Sequence, residues 1–115
     1  METAEKLYGI FHGSNRAHGS FTVGIASTGQ KTQGTAKTIK TVGANLKHWQ
    51  KHLEGQEGLG IIPIDEENCV KWGAIDIDLY SLNLEALVKK IEEFKLPLVV
   101  CRSKSGGAHV YCFLK

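Results

Sequence analysis

No aspartate or glutamate occurs between Lys6 and Leu53. That stretch carries Lys6, Arg16, Lys31, Lys37, Lys40, Lys47 and Lys51, a formal charge of +7, and four of the five histidines. Residues 54–115 carry −3 and the first five residues −2, so the net charge of +2 hides an uneven distribution. A basic half joined to an acidic half suits a protein that holds a polyanion near a metal. A solvated basic face with no partner has the same charge count. The three cysteines, Cys69, Cys101 and Cys112, are odd in number and lack C-x-x-C spacing. This argues against a zinc site and predicts free, buried thiols. No run approaches the roughly 18 apolar residues of a membrane span, and no signal-peptide pattern opens the chain. A cytoplasmic protein with no membrane partner is expected.

The 115 residues, 42% of them hydrophobic, suit a single domain with one small core. It would have a basic α/β segment over 1–55 and a second half over 56–115. Leu7, Ile10 and Phe11 have helical spacing, and a short helix is expected over 3–11. Phe21, Val23 and Ile25 alternate as in a strand. Residues 26–43, rich in Gly, Ser, Thr, Gln and Lys, read as a mobile loop or a hairpin. Arg16, Lys31, Lys37 and Lys40 are candidates for contact with a nucleic-acid backbone. A helix is expected over about 44–54, with Leu46, Trp49 and Leu53 as its apolar stripe and Gly55 as its stop. Trp49 reads as core rather than as a base-stacking platform.

Leu59–Ile64 and Cys69–Asp78 read as strands. Asn83 is a candidate N-cap for a helix whose face carries Leu84, Leu87, Val88, Ile91 and Phe94. Leu98–Cys101 and Ala108–Leu114 read as strands around a turn at 102–107. The fold class is therefore α+β: a small mixed sheet with helices packed on it. Residues from about 69 to 115 form a partial ferredoxin-like or RRM-like β-α-β-β unit, whose open edge invites a protein partner or self-association.

The chemistry concentrates in two stretches, Trp72-Gly-Ala-Ile-Asp-Ile-Asp78 and Arg102-Ser-Lys-Ser-Gly-Gly-Ala-His109. Side chains alternate along a strand, so Asp76 and Asp78 share a face while Ile75 and Ile77 share the other. Adjacent carboxylates repel, and a hard divalent cation, Mg²⁺ or Mn²⁺, relieves that repulsion. The turn offers Arg102, Lys104, Ser105, Gly106 and Gly107, with His109 two residues beyond. Backbone N–H groups, hydroxyls and cations of this kind bind phosphate. A plain Gly-Gly hairpin turn and a pair of surface acids account for the same residues without function.

Taken together, these stretches resemble the archaeo-eukaryotic primase, or primase-polymerase, superfamily. The resemblance is carried by His52-Leu-Glu-Gly55, Gly60-Ile-Ile-Pro-Ile64, the D-x-D strand and Arg102–Tyr111, and it covers residues from about 52 to 115. Phe11-His-Gly-Ser14 more weakly resembles the entry of primase domains from phage and mobile-element conflict systems. The resemblance implies that Asp76 and Asp78 bind the catalytic metals. It also implies that Ser105 and His109 contact the nucleotide's phosphates, while Gly106 and Gly107 shape the turn. Asp76, Asp78 and His109 are then the catalytic candidates. The implied partners are a nucleoside triphosphate and a DNA or RNA template, in the host cytoplasm if the protein is phage-encoded. The family's third acidic motif would fall beyond Lys115, so full activity is expected to require an acid from outside these residues. Two rivals remain: a non-catalytic primase-like module that binds nucleic acid or a protein, such as a phage-encoded inhibitor, and a metal-dependent nuclease.

Overall fold

The computed structural model describes residues 2–23 and 34–114. The chain divides into two compact units, Met1–Lys71 and Trp72–Lys115. The change in composition near residue 55 is therefore not where the compact units divide.

In the first unit, α1 (Glu2–Ile10) opens with Glu2 and Glu5, whose charges favour a helix N-terminus. Ala4 is its buried residue, while Ile10 stays exposed. The helix Leu46–Leu53, α2, starts at Asn45. Asn45 Oδ1 accepts from the His48 N–H at 3.2 Å, and His48 Nδ1 accepts from the Asn45 N–H at 3.0 Å. This is a capping box with histidine in the usual Glu or Gln place. Gly55, at φ 76°, terminates the turn after the helix as expected. Trp49 is buried, with Phe11 stacked on it at 5.7 Å and His52 edge-on at 5.9 Å. Its core reading holds. Leu53, on the same predicted stripe, is exposed.

The strands β1 (His18–Val23), β2 (Gly34–Ile39) and β3 (Gly58–Gly60) form an antiparallel sheet in the order β2-β1-β3. The hairpin alternative for 26–43 holds for β2. Ile25 and Lys31 lie outside the described residues. The strand expected over 59–64 is cut short at Gly60. The Ile62 carbonyl instead accepts from the Ser14 N–H at 2.8 Å, so this segment bonds to a loop rather than to a ladder.

The second unit runs β4 (Trp72–Ile77), α3 (Leu84–Glu93), β5 (Val99–Arg102) and β6 (Ala108–Phe113). The sheet order is β4-β6-β5, with β6 antiparallel to both neighbours. Strands β4 and β5 therefore run the same way, joined by α3 and split by β6, which is the expected β-α-β-β unit. The α+β class holds. Pairing within each sheet is antiparallel, and there are two sheets among the described residues where one mixed sheet was expected.

Asn83 caps α3, its Oδ1 accepting from the Ala86 N–H at 3.0 Å. Ile91, Ala108 and Val110 are buried, with Ile77, Leu82, Leu84, Leu87, Leu98 and Val100 packed against them. Val88 and Phe94 belong to the predicted helix face but remain exposed. A three-stranded sheet covers a narrower helix stripe than the periodicity offers. The cysteines correct a second expectation: Cys69 and Cys101 are exposed and Cys112 is half-buried. Cys69 lies in a turn in which Asp65 Oδ1 accepts from the Glu67 and Cys69 N–H groups. Cys101 lies on an edge strand.

Two outcomes follow for the first unit. Trp49→Ala should cost about 3–5 kcal/mol in urea unfolding followed by circular dichroism. Trp49→Phe should cost less, because it also removes an indole N–H that is buried without a hydrogen-bond partner. His48 has its pKa lowered from 6.5, first by burial, then by His18 and Lys51 against the attraction of Glu57. The folded chain thus binds this proton less readily than the unfolded chain. The associated stability is present above pH 6.5 and is lost as the pH falls through the lowered folded value. His48→Gln, which can keep the capping box, should flatten that part of the stability–pH profile.

Candidate active site

The pairing of β4 with β6 sets the geometry of the site. Its register places Asp76 directly opposite His109, and β5 places Cys101 opposite His109 on the other side. Directly opposed residues share a face, so Asp76, His109 and Cys101 form a row across three strands. Asp76 Oδ1 lies 3.5 Å from His109 Nε2, and both side chains are about half-exposed, at 61% and 46%. An exposed pair of this kind adds little stability. What it does is aim the imidazole. Tyr111 reinforces this, edge-on to the His109 ring at 6.3 Å and 72°. Burial first, then the negative charge of the ionised Cys101, push the Tyr111 hydroxyl's pKa up.

The turn between β5 and β6 is closed by two backbone bonds. The Ser103 N–H donates to the Gly107 carbonyl at 3.0 Å, and the Gly106 N–H donates to the Ser103 carbonyl at 3.1 Å. The Lys104 and Ser105 N–H groups take no part in these two bonds, and both residues are exposed. Gly106 adopts φ 93°, which disfavours any residue with a Cβ. Gly107 is constrained by contact: a Cβ there would sit 2.1 Å from the Ile77 carbonyl oxygen. The glycines thus bring the turn against the end of the D-x-D strand.

The candidates are not all brought together. Asp76 and His109 are adjacent, and Gly107 touches the backbone of Ile77. Asp78 lies one residue past the end of β4 and is exposed. Arg102 is opposite Ala108, which places it on the alternate face of the sheet from His109. Among the nucleic-acid candidates, Arg16 Nε lies 3.3 Å from Glu66 Oε2, so an ion pair already engages that charge. Lys37 is opposite Ser20 on β2, and Lys40 follows that strand. Among the described residues no three His, Cys, Asp or Glu side chains cluster as a metal-binding group. Asp76 and Asp78 supply only hard carboxylate oxygens. That donor type fits Mg²⁺ or Mn²⁺, which keep several waters and take further ligands from phosphate. Cys101 and Tyr111 were not singled out as site residues. The period-2 alternation of β6 places Tyr111 beside His109, and only the β5–β6 register brings Cys101 there.

Residues 18–115 match the family described as TOTE conflict system, archaeo-eukaryotic primase domain. The chain belongs to this family. Membership makes it a primase-like nucleotidyltransferase domain, of a kind that interacts with nucleotides and nucleic acid in general. No match was found among curated proteins or among solved structures. Among the described residues, no helix of this primase domain is long and apolar enough to cross a membrane.

Gly107→Ala should destabilise the primase domain and move the turn, because its neighbour is backbone and cannot step aside. Gly73→Ala in β4 is the control, since a Cβ there meets nothing within 4 Å. Thermal melts should show a clear loss for the first and little change for the second.

Proposed function

We propose that this domain is part of a primase-polymerase-like nucleotidyltransferase core and binds a nucleoside triphosphate and a divalent cation at the Asp76–His109 face, for primer synthesis on a nucleic-acid template. The observation that carries this reading is the 3.5 Å Asp76–His109 pair, flanked by a glycine turn packed against the same strand's end, in a chain of the primase family. Asp76 and Asp78 would hold Mg²⁺ or Mn²⁺, which when bound activates the attacking oxygen and neutralises charge on the leaving group. His109, oriented by Asp76, donates a hydrogen bond to a phosphate oxygen. The Ser105 hydroxyl and the turn's backbone N–H groups add further donors, and Lys104 adds charge at the same turn. The reaction is attack of a 3′-hydroxyl on the α-phosphate. A new P–O bond forms, the α–β bridging bond breaks, the hydroxyl proton is lost and pyrophosphate departs. Lys37 and Lys40 in the first unit supply positive charge for the template backbone, whereas Glu66 already neutralises Arg16.

Calorimetric titration of a nucleoside triphosphate in the presence of Mn²⁺ tests this. Wild type should bind, and the Asp76→Ala/Asp78→Ala double variant should lose the metal-dependent part. Equal binding by both proteins would refute the assignment. Degradation of single-stranded DNA or RNA with Mn²⁺ and no nucleotide would point to a nuclease instead.

A further inference from the structure

The first unit contains a second cluster that the chemistry of Asp76 and His109 does not use. A cleft of about 220 Å³ is lined by β1, β2 and α2. The register sets His18 opposite Ile39 and Ser20 opposite Lys37, so these four residues share one face of the hairpin. His48 and Lys51, three residues apart on α2, share one face of that helix. Glu57 completes the lining, and its Oε2 accepts from the Ser20 hydroxyl at 3.4 Å.

The two histidines hold opposite tautomers. His18 is only 3% exposed, and its Nδ1 lies 2.8 Å from the Val42 carbonyl. A carbonyl only accepts, so the His18 proton sits on Nδ1. His48 Nδ1 accepts from the Asn45 N–H, so the His48 proton sits on Nε2. The ring centroids are 4.2 Å apart. The two lysines disfavour any further positive charge in the cleft, and the neutral imidazoles beside them leave it open to an anion. Two lysines against one carboxylate leave a single positive charge when the histidines are neutral. That matches one phosphodiester and falls short of a free triphosphate.

We propose that this cleft binds one backbone phosphate of a nucleic-acid strand. Lys37 and Lys51 supply the charge, while His48 Nε2–H and the Ser20 hydroxyl supply hydrogen bonds. Glu57 opposes binding and competes for Ser20. The proposal rests on the primase reading only for the class of polyanion.

The test uses the full chain and a fluorescein-labelled single-stranded DNA oligonucleotide, with affinity followed by anisotropy across a salt series. Lys37→Gln/Lys51→Gln should weaken binding at least roughly tenfold and reduce the salt slope by about 0.7, the value for one phosphate on a single strand. Lys6→Gln/Lys47→Gln removes the same charge outside the cleft and should do less. Glu57→Gln should tighten binding. Equal losses in the two double-lysine variants would mean diffuse charge and would overturn the proposal. So would competition by inorganic pyrophosphate at the cleft with no cleft-dependent binding of the oligonucleotide. Mn²⁺-dependent triphosphate titration of the same variants separates the two readings. Its absence with cleft-dependent DNA binding intact sinks the catalytic assignment alone. Its presence with equal lysine effects sinks the cleft alone.

Discussion

The antiparallel pairing of β4 with β6 is the constraint on which the candidate site depends. One pairing register makes Asp76 and His109 direct neighbours and puts Ile77 opposite Ala108. A slip of one residue would send every side chain of β4 to the opposite face. That slip would also remove Ile77 from the cluster around Ile91, Ala108 and Val110, so packing on one face holds the chemistry on the other in place. Gly107 adds a second lock, because its approach to the Ile77 carbonyl leaves no room for a side chain. The precision of the Asp76–His109 pair thus comes from apolar burial and backbone fit. Their mutual attraction is weak at this exposure.

The first unit has a different logic. Among the described residues its buried centre is small, with Ala4 and Trp49 as buried apolar residues and His18 as a buried polar one. A buried imidazole needs a partner, and the Val42 carbonyl provides it. His48 is fixed through the backbone of Asn45. Both histidines therefore keep defined tautomers close to Lys51. This converts a run of basic residues, which by composition alone is a diffuse charge, into a site with directional donors.

Much of the architecture was legible from local signals. Asn83 precedes an apolar-periodic run and caps α3 as expected, whereas the cap at Asn45, inside the helix expected over about 44–54, emerges only from the structure. Alternation along 108–113 marked the faces of β6, and Gly106-Gly107 marked the turn before it. What misled was the reading of apolar content as burial. Val88, Phe94, Leu53, Cys69 and Cys101 follow the pattern of core residues yet remain exposed, and Cys112 is only half-buried. A helix face or strand is buried only as far as a neighbouring element extends over it. Likewise, the apolar run 59–64 resembles a strand, but Ile62 bonds to Ser14, a partner 48 positions away.

The sequence by itself determined the residue types at the site, the alternation that sets Asp76 and His109 on defined faces of their strands, and the uneven charge of the two halves. These depend on spacing of two to four residues, which the backbone periods of strands and helices convert directly into faces. Tertiary structure decided which faces meet. It brought Cys101 and Asp76 to either side of His109, sent Arg102 to the alternate face, engaged Arg16 with Glu66, and gathered His18, Lys37, His48 and Lys51 around one cleft. Those outcomes depend on the register between strands distant in sequence, which cross-strand packing selects and no local window contains.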